Sequence, residues 1–114
     1  MKILAIDDVR DFADAWLIAR TYKMGIIALR DFGPWTELRL DHDLGGVHQD
    51  YHDGKEMTGY DICMFLEENL SLRPKTVLIV TANPVGKKKM EAALEAMSYA
   101  YNKATLLWEL ETEE

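Results

Sequence analysis

The 114 residues carry 13 Lys and Arg against 20 Asp and Glu, and the resulting charge of −7 excludes a broad nucleic-acid surface, which has to neutralise many phosphates. Hydrophobic residues make up 48%, with only seven Gly and three Pro, so the chain folds as one domain around one core. The one cysteine, Cys63, excludes an internal disulfide and fits a reducing compartment.

Lys2 to Ile6 is a β-rich apolar run of strand length that ends in Asp7-Asp8-Val9-Arg10. It is too short for a signal-peptide core, and no apolar run approaches the roughly 20 residues of a membrane span, so a cytoplasmic protein is expected. Phe12, Ala15, Trp16 and Ala19 recur at the spacing of one helix face, leaving Asp11, Asp14 and Arg20 to water. Asp7 or Asp8 then has an alternative role as the N-cap of that helix. Gly25 stops it, and Ile26 to Leu29 reads as a second strand. Residues 30–36, with Gly33-Pro34, are too few for a parallel crossover, so the second crossover helix is expected to be shortened or missing.

Leu38-Arg39-Leu40 is the third strand and runs into Asp41-His42-Asp43-Leu44-Gly45-Gly46. Two carboxylates on one strand end repel each other unless a cation, a donor or a shared proton compensates, which points to a metal or to acid/base chemistry. The alternative is that Asp41 and Asp43 cap loops while His42 packs on a helix. Val47 to Met57 shows no period and reads as a loop. His48 and His52 beside Asp50 and Asp53 have the residue types of metal ligands, although such loops are more often simply solvated.

Thr58-Gly59-Tyr60-Asp61 is a capping box with Asp in place of Glu, and Ile62, Phe65, Leu66 and Leu70 form the buried stripe of the helix it starts. Cys63 lies inside this helix as a small buried hydrophobe. Arg73-Pro74 ends the pattern, and Thr76 to Val80 is a continuous apolar strand of the kind buried in parallel sheets. Thr81-Ala82 follows. Asn83-Pro84 then starts a helix whose apolar face is Met90, Ala93, Leu94 and Met97. Ala104 to Leu110 is a fifth strand, overlapping an acidic tail over 109–114. Trp35, Tyr99 and Tyr101 read as exposed aromatics that offer a surface for a second copy of the chain.

Strands alternating with helices predict a single-domain α/β fold of three layers: a five-stranded, mainly parallel sheet covered on both faces. Ligands of such sheets bind beyond the carboxyl ends of the strands. There the chain places Asp7, Asp8, Asp41, His42, Asp43 and Thr81. Carboxylates with water suit Mg²⁺ or Mn²⁺, and the free amides expected at Val85 and Gly86, with Lys87 one turn in, suit a phosphate. A cation beside an anion-binding helix end is the arrangement of phosphoryl chemistry.

The acidic pair after the first strand, Asp41 after the third and Thr81-Ala82 after the fourth resemble the response-regulator receiver domain. That resemblance implies a flavodoxin-like strand order of 2-1-3-4-5, Mg²⁺ on Asp7 and Asp8, a phospho-acceptor role for Asp41, and a phosphoryl contact from Thr81. The fifth strand departs from receivers in offering no lysine; Lys103 precedes it. The chain is more similar to a receiver-like family that processes cyclic phosphates. The motifs are Asp7 to Arg10, Leu40-Asp41-His42-Asp43-Leu44-Gly45, Thr58-Gly59-Tyr60-Asp61, and Asn83-Pro84-Val85-Gly86 followed by Met90. Its members carry His-Ser where this chain has Val80-Thr81.

Two functional expectations follow. In the first, the chain is a metal-dependent phosphoesterase or related phosphoryl-processing enzyme acting on a small or terminal phosphate, cyclic or open, of a ligand or nucleic-acid end. Asp7, Asp8 and Asp41 bind Mg²⁺ or Mn²⁺, His42 or Asp43 manages protons, Arg10 stabilises charge, and Thr81, Asn83, Gly86 and Lys87 hold the phosphate. In the second, it is a receiver-like binding or regulatory module that keeps the pocket without turnover.

Overall fold

The computed structural model describes residues 1–46 and 49–111. The chain runs as β1 (Ile3–Ile6), β2 (Leu17–Ala19), α1 (Tyr22–Asp31), β3 (Glu37–Leu40), β4 (Tyr51–His52), β5 (Lys55–Glu56) and α2 (Gly59–Glu68). A 3₁₀ turn (Leu70–Leu72), β6 (Thr76–Ile79), α3 (Pro84–Ala96), β7 (Tyr99–Asn102) and β8 (Leu107–Leu110) complete it. The main sheet has six strands in the order β2-β1-β3-β6-β8-β7. The first four are parallel, and β8 and β7 extend the sheet as an antiparallel hairpin. The mixed α/β, mainly parallel architecture is the expected one. No helix among the described residues is long and apolar enough to cross a membrane.

Several elements differ from expectation. The stretch read as a helix over Phe12 to Ala19 is an irregular segment ending in β2, and Ile26 to Leu29, read as a strand, lies inside α1. The missing crossover helix is therefore the first, not the second. Leu17, Ile18 and Ala19 pair with Leu4, Ala5 and Ile6, and Trp16 N–H donates to the Ile3 carbonyl at 2.8 Å, so sheet pairing overrides a helix-like spacing. Thr21 caps α1 by accepting from Met24 N–H at 3.1 Å. The helix lays Gly25, Ala28 and Leu29 on the sheet, with Gly25 against the Ile6 side chain.

Because α1 packs on α2 and α2 on α3, the three helices form one layer on one face of the sheet. Among the described residues no helix covers the other face, so they form two helix-and-sheet layers rather than the expected three. The other face carries a polar cluster in which Arg39 grips Asp14 through both guanidinium nitrogens at 2.6 and 2.8 Å and Glu37 through Nε at 2.7 Å. The loop between β1 and β2 supplies Asp14 and also Phe12, whose ring lies 5.2 Å from that guanidinium.

The core joins Leu4, Ile6, Leu38, Leu40 and Val77 of the sheet to Leu29, Ile62, Leu66, Met90 and Leu94 of the helices. Cys63 is buried within it, and burial pushes its thiol up to about 12, as suits a structural cysteine. Leu70 is 72% exposed because α2 ends at Glu68, so it is not part of the buried stripe. Trp35 and Tyr99 are 3% and 2% exposed, which removes them from any surface for a second copy. The Trp35 indole donates to the Ala28 carbonyl and the Tyr99 hydroxyl to that of Pro74. The expected fifth strand survives as β8, reversed in direction; Glu109 and Leu110 of the expected tail belong to it, and 112–114 lie outside the described residues.

Candidate metal and phosphate site

Register builds the site. Ile6 pairs with Leu40 and Leu40 with Ile79, so the next residues of β1 and β3, Asp7 and Asp41, emerge side by side at the carboxyl edge. The ladder continues one step past the strands: Asp7 N–H donates to the Ala19 carbonyl, Asp41 N–H to that of Ile6, and Val80 N–H to that of Leu40, each at 3.0 Å. Asp7, Asp8 and Asp41 each offer one carboxylate oxygen, and these oxygens lie within 4.8 Å of one another. Asp7 is fully buried and Asp41 is 5% exposed.

A side chain on the same loop answers this concentration of charge. Arg10 Nη1 donates to Asp7 Oδ2 at 3.1 Å and to Asp41 Oδ2 at 3.2 Å. The other oxygen of Asp7, Oδ1, accepts from Val9 N–H at 3.0 Å and Arg10 N–H at 2.9 Å, so Asp7 folds the loop that delivers Arg10. Neither Asp7 nor Asp8 caps a helix, since none follows β1. Arg20 donates to the carbonyls of Arg10 at 2.6 Å and Asp7 at 3.4 Å and pairs with Asp11, fastening the same loop.

One arginine does not neutralise three acids. Burial, then the adjacent Asp7, push the Asp41 carboxyl above the ordinary carboxylate range; the Thr81 hydroxyl and Arg10 oppose the shift, and Asp8 adds to it. Asp8 makes no ion pair among the described residues. Three hard oxygen donors spanning little more than the ~4.2 Å across an octahedral Mg²⁺, with excess negative charge, fit a small divalent cation.

Alternation along the strand end sends the next residue the other way. His42 packs on the first turn of α3, where a Cβ on Gly86 would overlap the imidazole, lying 2.5 Å from Cδ2 and 2.7 Å from Nδ1. Its Nδ1 is 3.0 Å from Asp43 Oδ1, and Asn83 Nδ2 reaches the same oxygen at 3.5 Å. With Nδ1–H donated to Asp43, Nε2 is the nitrogen left to exchange protons. The expected convergence of four carboxylates therefore resolves into two groups: Asp7, Asp8 and Asp41 with Arg10, and Asp43 with His42 and Asn83.

The α3 end is less open than its sequence implies. Asn83 Oδ1 accepts from Gly86 N–H at 3.0 Å, so that amide is spent on the cap and Gly86 serves the site by admitting the His42 ring. Asn83 N–H donates to Thr81 Oγ1 at 3.1 Å, tying Thr81 to the helix start. Lys87 lines a cleft with Ile79, Tyr101 and Trp108 toward the terminal hairpin, not the acidic group. Among the weaker metal-ligand candidates, His52 is exposed on β4 with its ring edge-on to Tyr22 at 5.7 Å, Asp50 accepts from Lys23 N–H, and His48 lies outside the described residues.

Two positions escaped the sequence reading. Arg20 looks like a solvated helix residue until β2 is recognised. Gly59, noted only within a capping box, presses its Cα against the Asp41–His42 backbone, and its N–H donates to the His42 carbonyl at 2.8 Å. The box itself is present, with Thr58 N–H and Oγ1 on Asp61 Oδ2.

The His42 contact gives a direct prediction. Gly86→Ala must displace the imidazole, because the new methyl meets the ring and not a flexible chain end, with an expected stability cost of about 1 kcal/mol. The thermal midpoint and the NMR signals of the His42 ring check it, and unmoved ring signals would show that the start of α3 gives way instead.

Residues 2–96 match the family of the cyclic-phosphate processing receiver domain, a span that reaches from β1 to the end of α3 and leaves the β7–β8 hairpin beyond it. Comparison with curated proteins and with solved structures found no match. With the match covering most of the chain and the acidic edge built at the ends of its parallel strands, the chain belongs to the cyclic-phosphate processing receiver domain family.

Proposed function

We propose that the chain is a phosphoesterase that opens a cyclic phosphate on a small molecule or a nucleic-acid end, with Mg²⁺ or Mn²⁺ held by Asp7, Asp8 and Asp41. The observation that carries this reading is the buried Asp7 and Asp41 pair, joined by Asp8 at the edge of a cyclic-phosphate processing receiver domain. A bound cation would supply Lewis-acid polarisation of the phosphoryl group and neutralise charge on it. His42, oriented by Asp43, takes a proton from the attacking water at Nε2 and returns it to the leaving ribose oxygen as the phosphorus–oxygen ring bond breaks. Thr81, Asn83 Nδ2 and the Val85 amide supply neutral donors, and Arg10 a charged one. The product is a phosphomonoester.

The test is incubation with nucleoside 2′,3′-cyclic phosphates and Mg²⁺ or Mn²⁺, following the monoester by phosphorus NMR. Monoester formation that stops on chelation is expected. The competing reading, a module that binds without turnover, draws on Val80 in place of the family histidine and on the occupied Gly86 amide. Absence of turnover with metal and cyclic phosphate both bound would establish it.

A further inference from the structure

We infer that Arg10 is an exchange clamp: it occupies the cation's position on Asp7 and Asp41 and moves to the phosphate when a divalent cation enters. The inference rests on the proposed metal-dependent reading and deepens it. A single nitrogen, Nη1, bridges one oxygen of each acid at 3.1 and 3.2 Å, and on Asp7 that oxygen is the one left for a cation. Asp7 has no spare oxygen to offer instead, because Oδ1 already accepts the Val9 and Arg10 amides. A cation held by Asp7 and Asp41 and a guanidinium at hydrogen-bond distance from both acids would crowd like charges into one space. One of them leaves.

Departure is possible without unfolding the loop. The backbone of Arg10 is held independently of its side chain, by Asp7 Oδ1 on its N–H and by Arg20 on its carbonyl. The side chain is 39% exposed, so its outer end has solvent to swing through. Once displaced, a guanidinium anchored beside the metal position is set to pair with a phosphate oxygen in the two-pronged geometry that arginine favours. The clamp then explains how Asp7 and Asp41 sit side by side without metal and why an arginine stands three residues after Asp7.

The test uses the full chain and probes other than activity. Mn²⁺ alone is titrated into the parent and Arg10→Met, counting free ion by electron paramagnetic resonance; inorganic phosphate is then titrated at saturating Mn²⁺ by calorimetry. Removing the clamp is expected to tighten Mn²⁺ binding about tenfold or more while weakening phosphate binding about tenfold or more. A residue that merely supports the loop cannot move the two affinities in opposite directions. Arg10→Gln carries the same expectations should the Met variant fold poorly. Equal Mn²⁺ affinity in parent and both variants overturns the exchange and leaves the phosphoesterase reading standing. Failure of every chain to bind Mn²⁺ overturns both.

Discussion

Replacing Asp41 by Asn is expected to lower turnover by about 10³-fold or more while leaving the metal-free fold more stable than the parent at neutral pH. The two halves have one cause. Asp41 is buried beside Asp7, and its carboxyl is pushed above the ordinary range, so its charged form is disfavoured by folding. For an acid shifted upward, stability is greatest where it is protonated in both states, and is lost as pH rises from about 3.9 through the folded value. The loss grows as pH rises toward neutral. Asn removes it, along with the ligand oxygen that a cation needs. Thermal midpoints of both chains across pH 3 to 8 in chelator should therefore diverge toward neutral pH in favour of the variant, and adding Mg²⁺ should raise only the parent. Asp7 does not offer so clean a test, because its Oδ1 accepts two backbone amides and the loop depends on them.

The same residues show which parts of the fold are legible in the sequence. The strands that carry the acids, β1 and β3, and the helices that follow β5 and β6 announce themselves through local chemistry: an apolar run into Asp-Asp, Thr58 with Asp61, Asn83 before Pro84. Each signal is settled within a few residues. The span from Phe12 to Leu29 is not. Phe12, Ala15, Trp16 and Ala19 have helical spacing, yet Leu17 to Ala19 complete the open edge of β1, and the helix forms where β-branched Ile26 and Ile27 would favour a strand. What decides it is tertiary: Gly25 lets α1 approach the Ile6 side chain closely, and Thr21 caps the helix without an acid at the third position to advertise it. The second hairpin had a readable sign that a loop assignment passed over, since Asp53-Gly54, both at positive φ, is a strong turn signal between β4 and β5.

The site divides along the same line. Which acids reach the edge follows from strand ends, and Asp7, Asp8 and Asp41 do meet. Which of them share a group does not follow, because alternation at a strand end sends Asp41 toward Asp7 and His42 toward α3. Likewise the Asn83 cap is readable, but its cost, the loss of the Gly86 amide as a phosphate donor, appears only when the hydrogen bond is drawn. A capping residue and a free helix end are competing uses of one amide.

Gly59→Ala is expected to destabilise the protein by about 3 kcal/mol or more, lowering the thermal midpoint by roughly 10 °C, and to cost activity in whatever fraction folds. A Cβ at this position would overlap the Asp41 carbonyl oxygen and lie 2.9 Å from its carbonyl carbon and 3.1 Å from His42 Cα. All three are backbone atoms. Nothing there can rotate aside, so relief requires moving the Asp41–His42 peptide or the start of α2, where Gly59 N–H is bonded to the His42 carbonyl. Either movement pulls on the acid group through Asp41 and on the imidazole through His42, so Mn²⁺ affinity should fall together with stability. Gly86→Ala provides the contrast, since its methyl meets a ring and leaves the backbone alone. Calorimetric unfolding and Mn²⁺ titration of both variants separate the cases: loss of fold and metal affinity together for Gly59, and a small loss of stability with metal affinity kept for Gly86. A Gly59→Ala chain that melts like the parent would show that α2 docks on the acidic edge more loosely than this close approach requires.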